Sequence, residues 1–230
     1  MAQKFWRHHG QMSEAFRTVM FLSASGGLQD AYTYIGRGKV FANAQTGNIV
    51  LMSQSLFDGD LARFMHYLIP VLAFALGVAA AECIRLHFKQ AQRVHWRQLI
   101  LLAEIVLLFA VGFLPPQLDM AANALVSFAC AMQVQAFRKV HGYPFASTMC
   151  IGNLRSGMDA LVGYAHGGGR QTLIKALHYF GVIFVFALGA GVGAKCVGIF
   201  GAKTIWFSCL LLCVSLLFMF IKEEEAEAAE

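Results

Sequence analysis

The sequence predicts an all-α membrane protein of about six transmembrane helices, arranged as two inverted three-helix repeats that each add a short re-entrant half-helix. Three observations support this fold class. The 230 residues are 58% hydrophobic and only 13% charged, with a mean hydropathy of +0.58, whereas a soluble domain needs more polar surface. Apolar stretches long enough to cross a hydrocarbon core of ~30 Å recur along the chain. The pattern of the first half also returns in the second.

Six apolar stretches are the predicted spans. They cover residues 16–35, 66–86, 98–114, 118–137, 173–194 and 204–221. The first is the least apolar, because it carries Gly26, Gly27, Gln29 and Asp30. A signal peptide within residues 1–35 is the competing interpretation, but Ser-Gly-Gly-Leu-Gln-Asp is not a small-x-small cleavage site.

An internal repeat relates the two halves. HYLIPVLAFALG at 66–77 aligns without a gap with HYFGVIFVFALG at 178–189, and FANAQTGN at 41–48 corresponds to FASTMCIGN at 145–153. We expect Gly77, Gly189, Gly191 and Gly193 to permit close helix packing. The whole chain is therefore predicted to form one membrane domain. Its parts are repeat 1 at about 16–114, repeat 2 at about 118–221, and an acidic, disordered tail at 222–230.

The distribution of positive charge favours six spans over eight, because cytoplasmic loops carry an excess of Lys and Arg. In a six-span arrangement with both termini inside, twelve of the 18 Lys and Arg residues fall inside and five outside. The best eight-span arrangement splits them ten to seven. Arg155 lies within the membrane in either case. Residues 47–57 rise only about 15 Å as a helix, which is half of the bilayer core.

Candidate binding residues lie on the two short segments and at intramembrane charges. Polar side chains on an extended lead into a half-helix are how many transporters build a site near the midplane, although such residues also serve only to join helices. The predicted substrate-binding set is Gly26, Gly27, Asp30, Asn43, Gln45, Thr46, Gly47, Asn48, Thr148, Gly152, Asn153, Arg155 and Asp159. We expect both short segments to lie inside the bundle, at the repeat interface.

Charged residues inside spans leave alternatives open. Arg155 and Asp159 are four residues apart and so share a helix face. Either they form a local pair, or Arg155 is shared between Asp159 and Asp30 and lines a substrate path. Glu104 in the third span is either a proton-relay carboxylate or a buried, hydrogen-bonded residue.

The sequence predicts no enzyme, cofactor or metal site. It contains no GxSxG, HExxH or phosphate-binding Gly-rich loop, and its six cysteines form no CxxC pair. The net charge of +5 does not indicate nucleic acid, because the clearest basic cluster lies between two spans. The expected partners are the lipid bilayer and a small solute or ion, and homo-oligomerisation is left open.

Two motifs carry a family resemblance over nearly the whole chain. GGLQDAYTY and FANAQTGN, followed by the long FALG helix, resemble the YoaK family of bacterial inner-membrane proteins, a family of unknown function. Gly26, Gly27, Asp30 and Ala31 match its first motif, and Phe41, Asn43, Thr46, Gly47 and Asn48 match its second. Gln45 stands where the family has methionine, and Ile151 stands where threonine is expected. The resemblance implies a bacterial multi-span membrane protein but supplies no substrate.

The leading functional hypothesis is a small-solute transporter or channel in the bacterial inner membrane, with its site at the repeat interface and both termini cytoplasmic. The rival is a non-transporting assembly or sensory subunit, whose polar segments serve packing only. Flux of solutes into liposomes separates the two. A membrane enzyme comes third, because no catalytic set is present.

Overall fold

The computed structural model describes residues 16–88, 95–140, 143–144 and 147–227. Within them the chain forms α1 (Phe16–Gly36), α2 (Gln45–Phe57), α3 (Leu61–Phe88), α4 (Trp96–Val111), α5 (Asp119–Ala136), β1 (Lys139–Val140), β2 (Tyr143–Pro144), α6 (Cys150–Ala165), α7 (Arg170–Phe200) and α8 (Ile205–Glu227). The strands pair antiparallel, and short 3-10 helices precede α5 and α8. The predicted all-α class is confirmed.

Each predicted segment corresponds to one helix. The six spans are α1, α3, α4, α5, α7 and α8, and the two short segments are α2 and α6. Helix α8 continues to Glu227, so it includes most of the acidic end that the sequence predicts to be disordered. Basic residues at 4, 7, 89 and 93, on which the charge count also drew, lie outside the described residues.

Many large apolar side chains are exposed, and the interior holds polar side chains beside its apolar core, which differs from the arrangement of a typical soluble protein. The exposed apolar residues include Leu76, Phe184, Val192, Ile199, Leu210 and Leu217. The buried polar residues include Ser25, Gln29, Arg37, Asn48, Glu104, Gln133 and Ser208. An apolar surface, with polar side chains kept inside, is the arrangement that a lipid environment favours.

Two helical stretches of the described residues are long and apolar enough to cross a membrane. They are Leu61–Phe88 and Arg170–Met219, the second comprising α7 and much of α8. The length and composition of these stretches point to a membrane location. Helix α4, with 16 residues, is shorter, and α1 carries several buried polar side chains that lower its hydropathy.

Contacts along the helices give their relative directions. Helices α1 and α7 are parallel, as are α3 and α5, whereas α8 is antiparallel to α1 and α4, and α5 is antiparallel to α4. The parallel pairs are shown by the contacts Phe16–His178 and Ala24–Gly189 for α1 and α7, and by Gly77–Phe128 and Glu82–Gln135 for α3 and α5. The antiparallel packing of α8 is shown by Ser25–Ser208 and Thr18–Ser215 with α1, and by Ile105–Cys209 and Phe109–Trp206 with α4. The contact Arg97–Ala136 joins the start of α4 to the end of α5. In chain order, the six long helices therefore alternate in direction.

The first helix of each half packs on the other half. Helix α1 contacts α7 and α8, and α5 contacts α3 and α4. Backbone meets backbone at both crossings, because a Cβ at Gly189 would overlap the carbonyl oxygen of Ala24, and a Cβ at Gly77 would overlap that of Phe128. The predicted role in close packing is confirmed for these two glycines and for Gly193, where a Cβ would lie 3.0 Å from Leu28 Cα. It is wrong for Gly191, where nothing lies within 4 Å of a Cβ.

Arg37 fastens the end of α1 to the connection between α4 and α5. Its side chain is only 1% exposed. The guanidinium donates to the Tyr32 hydroxyl at 2.8 Å, to the Leu114 carbonyl at 2.8 Å and to Asp119 Oδ1 at 2.7 Å. The planar fork of Arg satisfies several acceptors at once, including backbone carbonyls beyond the end of α4.

We predict that Gly189→Ala destabilises the fold by about 1–3 kcal/mol, because the new methyl group overlaps backbone that cannot move without separating α1 from α7. Thermal unfolding in detergent measures the change. Gly191→Ala is the matched control, since nothing lies within 4 Å of a Cβ there, on the same helix. Equal melting temperatures for the two variants would contradict the packing argument.

Candidate functional site

The first polar lead, residues 41–44, is held against the middle of α1. Asp30 Oδ1 accepts a hydrogen bond from the backbone N–H of Asn43 at 2.7 Å. Asn43 Nδ2 donates to the carbonyl oxygen of Gly26 at 3.2 Å. A carboxylate and an amide thus satisfy groups that would otherwise be unpaired where the chain leaves helical geometry.

Asn48 and Gln45 brace the same lead from inside α2. The Asn48 amide accepts from Phe41 N–H at 3.0 Å and donates to Phe41 C=O at 2.7 Å, so it pairs with this residue as a neighbouring backbone would. Gln45 Nε2 donates to the Ala42 carbonyl at 2.8 Å. The geometry therefore assigns these two side chains a bracing role.

Thr46 and Gly47, which precede Asn48 in the sequence, have different surroundings. Thr46 is exposed, so the structure does not bring it to the other candidates. Gly47 lies against the Phe41 ring, and a Cβ there would be 3.0 Å from Phe41 Cδ2. Small size at position 47 lets the aromatic ring, which also stacks on Tyr34, cover the first turn of α2.

The second polar lead, which precedes α6 and is described at residues 147–149, reaches the same region of α1 from the other half. Ser147 and Thr148 are 1% and 7% exposed. The Thr148 methyl group packs where a Cβ of Gly26 would be, which explains the glycine at that position. Gly27, the next residue, instead faces the backbone of α7 at Phe186.

We call the meeting point of the leads the lead junction, defined by Gly26, Asp30, Asn43 and Thr148. Asn43 Oδ1 and Thr148 Oγ1 have no hydrogen-bond partner within the described part of the chain, although each side chain is only 7% exposed. Unpaired buried polar atoms are costly and call for an explanation. The Asp30 carboxylate is bonded to the backbone of Asn43, and the two unpaired oxygens can accept hydrogen bonds from a ligand.

Arg155 and Asp159 are not part of this junction. Both are exposed, and among the described residues no ion pair joins Arg155 to Asp159 or to Asp30. The two pairing hypotheses for Arg155 are therefore wrong. Asn153, Gly157 and Ala160 form the buried face of α6 against α7, and the four-residue spacing places the two charges on the opposite side.

The bodies of α2 and α6 lie at the periphery, so their predicted position inside the bundle is wrong. Helix α2 packs on α3 and buries only Asn48 and Ser55, while α6 packs on α7. Gly152, near the start of α6, is exposed and has open space around it. Only the leads reach the interior, because their short polar residues fit between helices where the apolar half-helices do not.

Asp159 instead lines an open groove between α6 and α7. The groove has a volume of about 540 Å³. Its lining residues are Ser156, Asp159, Ala160, Gln171, Thr172, Lys175 and Tyr179. It lies apart from the lead junction and shares none of its residues.

A second polar cluster, absent from the predicted binding set, surrounds Glu104. Glu104 is fully buried, and Gln29 Nε2 lies 3.2 Å from its Oε1. The same Gln29 nitrogen lies 2.9 Å from Ser25 Oγ and 3.0 Å from Ser208 Oγ. The i, i+4 spacing of Ser25 and Gln29 on α1 was the available signal, since it places both on one face.

A family model described as "Protein of unknown function (DUF1275)" matches residues 18–218 of the chain. The match covers most of the sequence and confirms the resemblance to an uncharacterised family, although the name YoaK is not part of it. No curated protein and no solved structure matches the chain significantly. The comparisons therefore identify a family without an activity.

We predict that Asn48→Ala destabilises the protein by about 1–3 kcal/mol, because it leaves the Phe41 N–H unpaired and the Phe41 carbonyl with only the long bond of 3.5 Å from Gln45. Thr46→Ala, two residues away on the exposed side, should stay within about 0.5 kcal/mol of the native protein. Unfolding of both variants in detergent, followed by circular dichroism, measures the difference. Loss of stability in Thr46→Ala but not in Asn48→Ala would refute the bracing role.

Proposed function

The chain belongs to the DUF1275 family of proteins of unknown function, and we propose that it is a membrane transporter or channel for a small polar solute that binds at the lead junction. One observation carries this proposal: Asn43 Oδ1 and Thr148 Oγ1, both deeply buried beside Gly26, lack partners within the described residues. Bracing alone would leave no reason to bury them unsatisfied.

The proposed topology is six spans in two inverted repeats, each with a re-entrant half-helix. The alternating directions of the six long helices and the reciprocal packing of α1 and α5 support it. Helix α2, with 13 residues, rises about 20 Å, too little for the bilayer core. Repeats of three spans have an odd number of crossings, and an odd number inverts the second repeat relative to the first.

The lead junction then lies near the middle of the membrane. Gly26 is central in α1, which runs from Phe16 to Gly36. Two leads from opposite repeats reach this residue, one through Asn43 and the other through Thr148. A site equally distant from both surfaces is what alternating access requires. The proposed location is the bacterial inner membrane, and the excess of Lys and Arg on one side of the six-span arrangement favours cytoplasmic termini.

The chemistry of the junction favours a ligand that donates hydrogen bonds. Its unpartnered atoms are the Asn43 amide oxygen and the Thr148 hydroxyl oxygen, and the Asp30 carboxylate accepts from the backbone of Asn43. Ammonium, a primary amine or a small hydroxylated solute can donate hydrogen bonds to these groups, and the close packing around Gly26 limits the size of the ligand. An anion would meet Asp30 without a compensating cation at the junction.

The alternative of a non-transporting membrane subunit has one observation in its favour. Asn48 and Gln45 form hydrogen bonds to the backbone of the first lead, as expected for residues that serve packing only. This alternative predicts that the native protein, folded and reconstituted, carries no solute. It also predicts that changing Thr148 affects stability only.

Flux into proteoliposomes tests the proposal. A panel of ammonium, primary amines, amino acids, organic acids and inorganic ions identifies a transported solute. Thr148→Val removes the hydroxyl and keeps the branched shape. We expect flux to fall about tenfold or more, the effect of losing roughly 1.4 kcal/mol of ligand interaction, with stability unchanged or raised.

Thr204→Val is the matched control for this variant. Thr204 Oγ1 is also buried without a partner among the described residues, but it precedes α8 and lies outside the junction. Its change to valine should leave flux intact. Equal flux in Thr148→Val and Thr204→Val would remove the junction from the mechanism. Absence of flux for the whole panel, with folded protein, would favour the non-transporting alternative.

A further inference from the structure

Glu104 lies where four helices from both halves meet. Its carboxyl group, on α4, faces Gln29 of α1 and Gln133 of α5, and the Ser208 hydroxyl of α8 shares the Gln29 nitrogen. Its exposed fraction is zero. A carboxyl group at this position is the most enclosed acidic group among the described residues and lies outside the lead junction.

No cation neutralises this carboxyl group in the described part of the chain. The two ion pairs found there join Arg37 with Asp119 and Arg85 with Glu82. Burial of a carboxylate without a partner of opposite charge costs several kcal/mol. Binding a proton removes that cost, because the neutral acid needs only hydrogen bonds, which the surrounding amides supply.

The Gln133 amide fits two orientations against Glu104. In one, Nε2 donates to Ser147 Oγ at 3.0 Å and to the Leu22 carbonyl at 3.4 Å, and the amide oxygen faces the Glu104 carboxyl group. Two oxygens within hydrogen-bond distance of each other repel unless a proton lies between them, so this orientation suits protonated Glu104. In the reverse orientation, Nε2 donates to Glu104 Oε1 at 3.0 Å and Oε2 at 3.3 Å, and the amide oxygen accepts from Ser147 Oγ at 3.0 Å. That orientation suits the carboxylate.

We propose that Glu104 is a proton-binding site of this protein, and that the Gln133 amide transmits its protonation state to the second lead. A proton from the aqueous phase binds one carboxyl oxygen and cancels the charge. The amide turns so that its oxygen accepts a hydrogen bond from the protonated carboxyl group, and Ser147 changes from hydrogen-bond donor to acceptor. Release of the proton reverses each change.

The position of Ser147 connects this site to the lead junction. Ser147 precedes Thr148, whose hydroxyl is one of the two free atoms of the junction. On the other side, Gln29 precedes Asp30 and donates to Glu104. Proton binding at Glu104 does not depend on any solute. A further coupling of proton binding to solute transport, through Ser147 and Thr148, rests on the proposed function.

The other titratable groups near Glu104 are few. Asp30 on α1, Cys130 on α5 and Cys209 on α8 are close enough to interact electrostatically with one another or with Glu104. Cys130 Sγ lies 2.5 Å from Gln29 Oε1, so it belongs to the same network. None of these groups is a cation, so none replaces the proton as the neutralising partner.

Infrared spectroscopy of the purified protein tests the proton site directly. We expect a carbonyl stretch of a protonated carboxylic acid that disappears as the pH is raised. The band should be lost in Glu104→Gln and retained in Asp30→Asn, which controls for the other buried carboxyl group. Retention of the band in Glu104→Gln, or a band that responds to sodium at constant pH, would overturn the assignment.

Hydrogen exchange tests the transmission to the lead. Corrected for its intrinsic pH dependence, exchange of the amides at 147–149 should change over the pH range in which the carboxyl band disappears. Gln133→Met keeps the size of the side chain and cannot form the amide bonds. It should abolish the exchange response and keep the carboxyl band. An exchange response that survives in Gln133→Met would refute the transmission.

These readouts need no transported solute, so their failure is distinct from failure of the flux assay. If Glu104→Gln does not fold, the native pH titration and Gln133→Met decide the question: a carboxyl band together with loss of the exchange response upholds the proposal. Absence of any protonated carboxyl band in the native protein, at every pH at which it is folded, overturns it.

Discussion

The rest of the structure depends on two backbone contacts between the halves. At Gly189 the carbonyl oxygen of Ala24 occupies the space of a Cβ, and at Gly77 that of Phe128 does the same. These contacts insert α1 between α7 and α8, and α5 between α3 and α4. Neither half could close a bundle alone, because the first helix of each completes the core of the other. The polar residues of α1 and α5 are brought together as a result.

The interior is closely packed, so each polar group buried there needs a hydrogen-bond partner. Where the first lead leaves helical geometry, side chains replace the missing backbone partners. Asp30, Asn48 and Gln45 do this for the first lead, so much of the polarity of FANAQTGN serves the backbone. Six buried polar side-chain atoms of the described residues lack a partner, and two of them, Asn43 Oδ1 and Thr148 Oγ1, lie where the leads meet. A binding role for Asn43 and Thr148 rests on these two atoms.

The lead junction and the Glu104 cluster are separate in chemistry but adjacent in the chain. Asp30 follows Gln29, and Thr148 follows Ser147, so successive residues on one helix and one lead face the two sites. A rotation of α1 or a small movement of the second lead would change both together. This proximity gives a physical route by which an event at one site biases the other, without a path through distant elements.

Hydropathy and repetition in the sequence determined the existence and approximate bounds of all eight helices, because apolar length and a gapless internal match are local properties. They also identified Asp30, Asn43 and Thr148 as candidates. Only the tertiary structure decided which polar residues meet. The exposure of Arg155 follows from the face that α6 turns to α7, and the convergence of Gln29, Gln133 and Ser208 on Glu104 follows from interlocked halves. Both depend on how helices far apart in sequence cross, and no local pattern encodes a crossing.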